Sequence, residues 1–158
     1  VCGPPAAGKS THVAQHASAN DVVIDVDAIA QERGLGRDRP AAAIGDLLDE
    51  RNARLAALAD EPSTRTAWVI LTAPSPALRA WWCETLGVAP DDMVLLLPSR
   101  EELQRRIIAD PDRRYVTGLY LDLVAQWFAR ERANDPGILR PGWDESGIPL
   151  DPLHPWNR

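Results

Sequence analysis

The stretch Gly3-Pro4-Pro5-Ala6-Ala7-Gly8-Lys9-Ser10 satisfies G-x-x-x-x-G-K-[ST], the pattern of a phosphate-binding loop. Its lysine carries unusual weight, because the chain holds sixteen arginines and Lys9 is its only lysine. Arginine serves every other basic position. It cannot serve this one, where a compact, flexible ammonium must reach the β- and γ-phosphates and a planar fork does not fit. With glycine at about 7% of average composition, a chance match in a chain of this length is roughly a one-in-a-hundred event. The loop works because its glycines let backbone N–H groups turn toward an anion and the following helix presents its positive end. Gly3, Pro4, Pro5, Ala6, Ala7 and Gly8 are therefore read as the cradle of a nucleoside triphosphate, ATP. Lys9 bridges its β- and γ-phosphates, Ser10 ligates Mg²⁺ and Thr11 holds the α-phosphate.

Outward from the loop, composition sets the class. The 158 residues fit one domain, and 45% hydrophobic with 25% charged residues is an ordinary globular balance. No apolar run approaches the ~20 residues of a bilayer span, so no membrane partner is expected. Cys2 and Cys83 have neither metal-ligand nor disulfide spacing, which fits a reducing cytoplasm and two small buried hydrophobes. The chain enters the loop after only Val1-Cys2, where a buried strand of four to six residues is expected, so the numbering is read as starting inside the first strand. The net charge of -6 argues against a long polyanionic partner. Arg100, Arg105, Arg106, Arg113 and Arg114 nevertheless crowd together, a local basic site better suited to a nucleotide or a short oligonucleotide end.

Periodicity then alternates between strand and helix. A helix is expected over Lys9–Ser18, a doubly buried strand at Val22–Ile24, and a helix from about Ala28 to the Gly34–Pro40 loop. Ile44, Leu47, Leu48, Leu55 and Leu58 share one face of a long helix. Ala67–Leu71 reads as a strand, Pro76–Leu86 as a helix, and Met93–Leu97 as a strand. A helix from Ser99 has Glu101 and Glu102 in its first turn. The pattern breaks at Asp110-Pro111-Asp112 and resumes as a helix over Val116–Arg132. The pattern predicts an α/β fold of the P-loop NTPase class, a parallel sheet sandwiched by helices, over residues 1–133. Residues 134–158, with five of the fourteen prolines, read as an irregular Pro/Trp-rich tail packed on that domain or serving a protein partner.

The acids of the second strand come next. Val22-Val23-Ile24-Asp25-Val26-Asp27 sets two carboxylates at its C-terminal end, on one face by the two-residue period, where an open α/β sheet borders its ligand crevice. Either can accept a proton from a hydroxyl or hold Mg²⁺ through water. Asp27 also has N-cap placement before Ala28-Ile29-Ala30. The strand Ala67–Leu71 ends in Thr72-Ala73-Pro74 without an acid, unlike motor ATPases and GTPases.

Taken in order, the loop, the strand ending in Asp27, Thr72-x-x-x-Pro76-x-x-Arg79 and the arginine clusters resemble the kinase domain of phage polynucleotide kinase. The same pattern looks like the zeta-toxin-like and other small AAA_33-like P-loop kinases. The resemblance implies a kinase with a lid over the nucleotide. It maps the catalytic base to Asp27, leaving Asp25 beside the metal with Ser10, and it makes Arg106 and Arg113 the lid arginines that clamp the triphosphate. Arg79 is a further candidate. Two positions depart from the family pattern: Ala30 stands where an arginine often holds the acceptor phosphate, and Leu71 where an acid ends the third strand. Arg33 or Arg37 from the Gly-rich loop could take the first role. The expected activity is transfer of the γ-phosphoryl of ATP to a hydroxyl of a nucleic-acid 5′ end, a nucleoside or a small metabolite. The alternative is a nucleotide-binding ATPase switch or assembly factor with slow hydrolysis and a protein partner. On the bare sequence, Arg105 and Arg106 also fit ion pairs with Glu101 and Glu102.

Overall fold

The computed structural model describes residues 1–40, 42–60 and 66–134; the expected Pro/Trp-rich tail falls almost wholly outside the described residues. Those residues form two compact units, one of Val1–Gly8 with the chain from Leu71, the other of Lys9–Ile70.

The Lys9–Ile70 unit opens with α1, Lys9–His16, followed by β1, Val22–Ile24, α2, Val26–Glu32, α3, Ala42–Asp60, and β2, Ala67–Val69. The β1 and β2 strands run parallel with Val22 opposite Ala67 and Ile24 opposite Val69, as a crossover through helices requires. Ile29, Ala30 and Leu47 form the apolar seam between α2 and α3. Burial of Ala30 explains why no arginine stands there: a guanidinium would be forced into that seam.

The start of α2 corrects the sequence reading. Helix begins at Val26, the N-cap is Asp25, and the Asp25 side chain accepts from the Asp27 N–H. Asp25 and Asp27 are thus not two strand positions on one face, and Asp27 lies in the first turn instead of capping it. Both acids of Asp-x-Asp have cap chemistry, and the earlier one takes the position because the strand ends at Ile24.

In the other unit, Cys2 bridges Leu71 on one side and Leu95 on the other, both in parallel. The expected strand Met93–Leu97 reduces to that bridge at Leu95, with Leu95 and Leu97 37% and 47% exposed. The helices are α4, Pro76–Leu86, α5, Arg100–Ala109, and α6, Thr117–Ala133. Their ends follow local chemistry. Ser75 caps α4 through the Leu78 N–H, Gly87 closes it at φ +64°, and Ser99 caps α5 through the Glu102 N–H. Trp82 is buried on α4 while its neighbour Trp81 is half-buried, the split expected of adjacent helix positions. Leu103 and Ile107 of α5 pack with Val124 of α6 against Ala7. The phosphate loop is seated directly on that cluster. Among the described residues, no helix is long and apolar enough to cross a membrane.

Candidate functional site

The loop leaves its strand at Cys2, which is fully buried between two backbone partners. Three loop residues have left-handed backbone: Gly3 at φ +145°, Ala6 at +61° and Gly8 at +94°. The Gly3 position tolerates no side chain, because a Cβ there would lie 2.2 Å from the Leu96 carbonyl oxygen. Ala6 accepts a conformation costly for an L-residue, about 1–2 kcal/mol, and the Ala7 N–H donates to Pro4 O at 3.2 Å across this turn. Such alternation of backbone hand is how consecutive N–H groups come to face an anion.

Arg106 reaches this loop from α5. The i,i+4 pair Leu103 and Ile107 faces Ala7, which sets Arg106 beside the same residue. Its Nη1 donates to Ala6 O at 3.2 Å and Ala7 O at 3.3 Å, and its Nε donates to Glu102 Oε1 at 2.7 Å. Glu102 also accepts from Arg105, and these two guanidiniums, Arg105 first, hold its carboxyl below the usual glutamate range. The expected pair of Glu101 with Arg105 is replaced by Glu102 with Arg105.

The second lid candidate is held differently. Arg113 is buried in the 3-10 turn Pro111–Arg113, with its guanidinium 4.8 Å from the centre of the Tyr120 ring. Its Nε lies 3.3 Å from Asp110 Oδ2 but is too poorly aligned to donate to it. Arg79 is tied down by Ala73 O, Pro74 O and the Glu131 carboxylate, at 2.8–3.1 Å. Leu71 is buried in the ladder with Cys2.

Within the Lys9–Ile70 unit, Lys9, Ser10 and Thr11 form the first turn of α1. The Ser10 hydroxyl donates to Asp25 Oδ2 at 3.0 Å, and Asp25 Oδ1 accepts the Asp27 N–H at 3.0 Å. Burial pushes the Asp25 carboxyl above the usual aspartate range. The Asp27 N–H opposes that shift, the Asp27 charge adds to it, and the Ser10 hydroxyl and Lys9 pull it back. The pair expected beside Mg²⁺ is thus brought together by α2 starting where it does. Two hard oxygens at one place suit Mg²⁺, which keeps waters and substrate phosphates and needs no all-protein cage. No group of three or more His, Cys, Asp or Glu gathers among the described residues.

Asp27 stands two residues further on with 41% of its side chain exposed. Arg39 Nη2 donates to its Oδ1 at 2.6 Å, and Arg37 Nη1 lies 3.6 Å from Oδ2. Arg33, the other arginine proposed for the acceptor, turns to Glu50 at 3.2 Å. Arg39 is the residue that sequence reasoning missed. Its signal was the Gly36-Arg37-Asp38-Arg39 turn, where alternate positions carry the same charge.

An AAA domain profile, AAA_33, matches residues 1–129, a span that holds the loop, both aspartates, Arg106 and Arg113. The chain belongs to that family, and so is a nucleotide-binding P-loop NTPase domain, of a kind that embraces kinases and ATPases. No curated protein and no solved structure matches it.

Proposed function

We propose that this protein is an ATP-dependent kinase that transfers the γ-phosphoryl group to an alcohol, resembling the polynucleotide-kinase-like members of the small P-loop kinases. The observation that carries the reading is the division of labour between two aspartates. Asp25 is committed to Ser10 and the helix cap, while Asp27 keeps a partly exposed carboxylate. A kinase needs a base that an acceptor hydroxyl can reach, and of the two acids Asp27 is the one not engaged by the Ser10 hydroxyl and the helix cap.

In the proposed reaction the loop backbone and Lys9 hold the β- and γ-phosphates. Ser10 and Asp25 would hold Mg²⁺, which when bound supplies positive charge to the phosphate oxygens. Asp27 accepts the proton of the acceptor hydroxyl. The acceptor oxygen forms a bond to the γ-phosphorus as the bridging bond to ADP breaks, giving a phosphomonoester and ADP. Arg106, already at the Ala6 and Ala7 carbonyls, is the better placed of the two lid arginines to follow charge onto the transferring group; Arg113 is assigned the same role from its position in the lid.

The test is incubation with labelled ATP and a panel of 5′-hydroxyl oligonucleotides, nucleosides and sugars. A phosphorylated acceptor is expected, and Asp27→Asn should cut its formation by at least ~10²-fold with ATP affinity held within a few-fold. Release of ADP and inorganic phosphate alone, with every acceptor unmodified, would favour the ATPase switch instead.

A further inference from the structure

The proposed base is not bare. Arg39 and Arg37 each stand at one oxygen of Asp27, and the Arg39 side chain is only 15% exposed. Arg39 is also anchored at its other nitrogen, where Nη1 donates to Gly36 O at 3.4 Å. The Asp38 carboxylate folds back over the same turn, with Oδ1 2.6 Å from where a Cβ at Gly36 would lie. The guanidinium is therefore held from both sides, by its own loop and by the carboxylate.

Building on the kinase reading, we infer that the Gly36–Arg39 turn is a latch on Asp27 that suppresses ATP hydrolysis until an acceptor arrives. A γ-phosphoryl group held by Lys9 and Ser10 faces water at very high concentration, and on the kinase reading a free Asp27 carboxylate would activate that water. Arg39 takes one oxygen of Asp27 by a hydrogen bond and Arg37 stands by the other, so both compete with water or a hydroxyl for the carboxylate. The Asp27 side of the pair is 41% exposed, which leaves the contact open to an incoming anion. What exchanges with a guanidinium is an anion, so the acceptor that opens the latch carries an anionic group near its hydroxyl. Its oxygens take over Arg39 and Arg37, the carboxylate is freed, and the hydroxyl is delivered to it in the same movement.

The experiment measures acceptor-free ADP release at saturating ATP and Mg²⁺. Arg39→Gln should raise it about tenfold or more, within the range that a positioned base contributes, while Arg39→Lys should stay near the wild-type rate. Arg37→Gln, which removes the longer contact, should give a smaller rise and serves if Arg39→Gln fails to fold. Sulfate, added against chloride at matched ionic strength, should raise the wild-type rate and leave Arg39→Gln unmoved; no response of the wild type would remove the anion from the proposal. An Arg39→Gln rate equal to wild type, with Asp27→Asn still abolishing transfer, overturns the latch and leaves the kinase reading standing. If Asp27→Asn combined with Arg39→Gln hydrolyses as fast as Arg39→Gln alone, Asp27 does not activate water and the latch falls, while acceptor phosphorylation still decides the kinase reading.

Discussion

Replacing Gly3 by alanine tests the seat of the loop, and read without nucleotide it separates folding from phosphate binding. Two costs can be worked from the geometry. Backbone at φ +145° is left-handed territory in which alanine is strained by about 1–3 kcal/mol. The added Cβ would also stand 2.2 Å from Leu96 O and 3.3 Å from its carbonyl carbon. That carbonyl is backbone and cannot swing aside as a side chain would. The Leu96 N–H donates to Cys2 O at 2.9 Å, so moving Leu96 disturbs the ladder beneath the loop. Overpacking of this kind costs about 1–3 kcal/mol. Together the substitution should cost about 2–6 kcal/mol, which for a chain of this size lowers Tm by roughly 6–18 °C. Thermal unfolding followed by circular dichroism, without nucleotide, is the assay. Gly8→Ala is the internal control: its Cβ meets nothing closer than Arg106 Nη1 at 3.8 Å, leaving only the strain of φ +94°. That variant should melt within a few degrees of wild type while losing nucleotide affinity. A Gly3→Ala protein melting within 3 °C of wild type, on the order of 1 kcal/mol, or a Gly8→Ala protein falling equally far, would refute the reasoning.

Lys9→Ala should abolish most of the Tm rise given by ATP with Mg²⁺, since ligand at a hundred times its Kd adds about 2.7 kcal/mol to the wild type; an undiminished rise in the variant would remove the loop from nucleotide binding. Asp25 gives a pH dependence whose sign differs for stability and for metal. Its folded carboxyl is raised, chiefly by burial, so its contribution to stability is fully present below the unfolded value and lost as pH rises through the folded one. Metal ligation needs the ionised form, so Mg²⁺-dependent ATP binding should fade as pH drops through that raised value. Asp25→Asn should flatten both trends in thermal-shift titrations across about pH 4 to 7; an unchanged Mg²⁺ profile in the variant contradicts the metal role.

The local chemistry of single segments was legible in the chain. Ser75-Pro76 through Gly87 announces both ends of α4, and Ser99 announces the start of α5, because cap, proline and left-handed glycine act within one turn. The loop motif named its own glycines for the same reason. What escaped depended on where segments end or meet. Asp-x-Asp offers two caps, and only the end of β1 at Ile24 decides for Asp25. Leu95 has a strand's composition, yet its described ladder is a single bridge to Cys2. Arg39 sits 12 residues from Asp27 and Arg106 100 residues from Ala6, separations at which periodicity carries no information. The misassigned Glu101 pairing is a rotamer choice, since Glu102 can reach both Arg105 and Arg106 from one position.

The two thiols give the loop's foundation a clock. Both cysteines are free and buried, Cys2 at 0% and Cys83 at 7% exposure. A disulfide reagent can reach Cys2 only when the backbone on which the loop is mounted parts from Leu71 or Leu95. Its labelling rate therefore reports how often that mount opens, with no dye or tag added. A nucleotide held by the loop must make those openings rarer by the ratio in which it favours the closed form, so the native chain carries a kinetic gauge of its own occupancy.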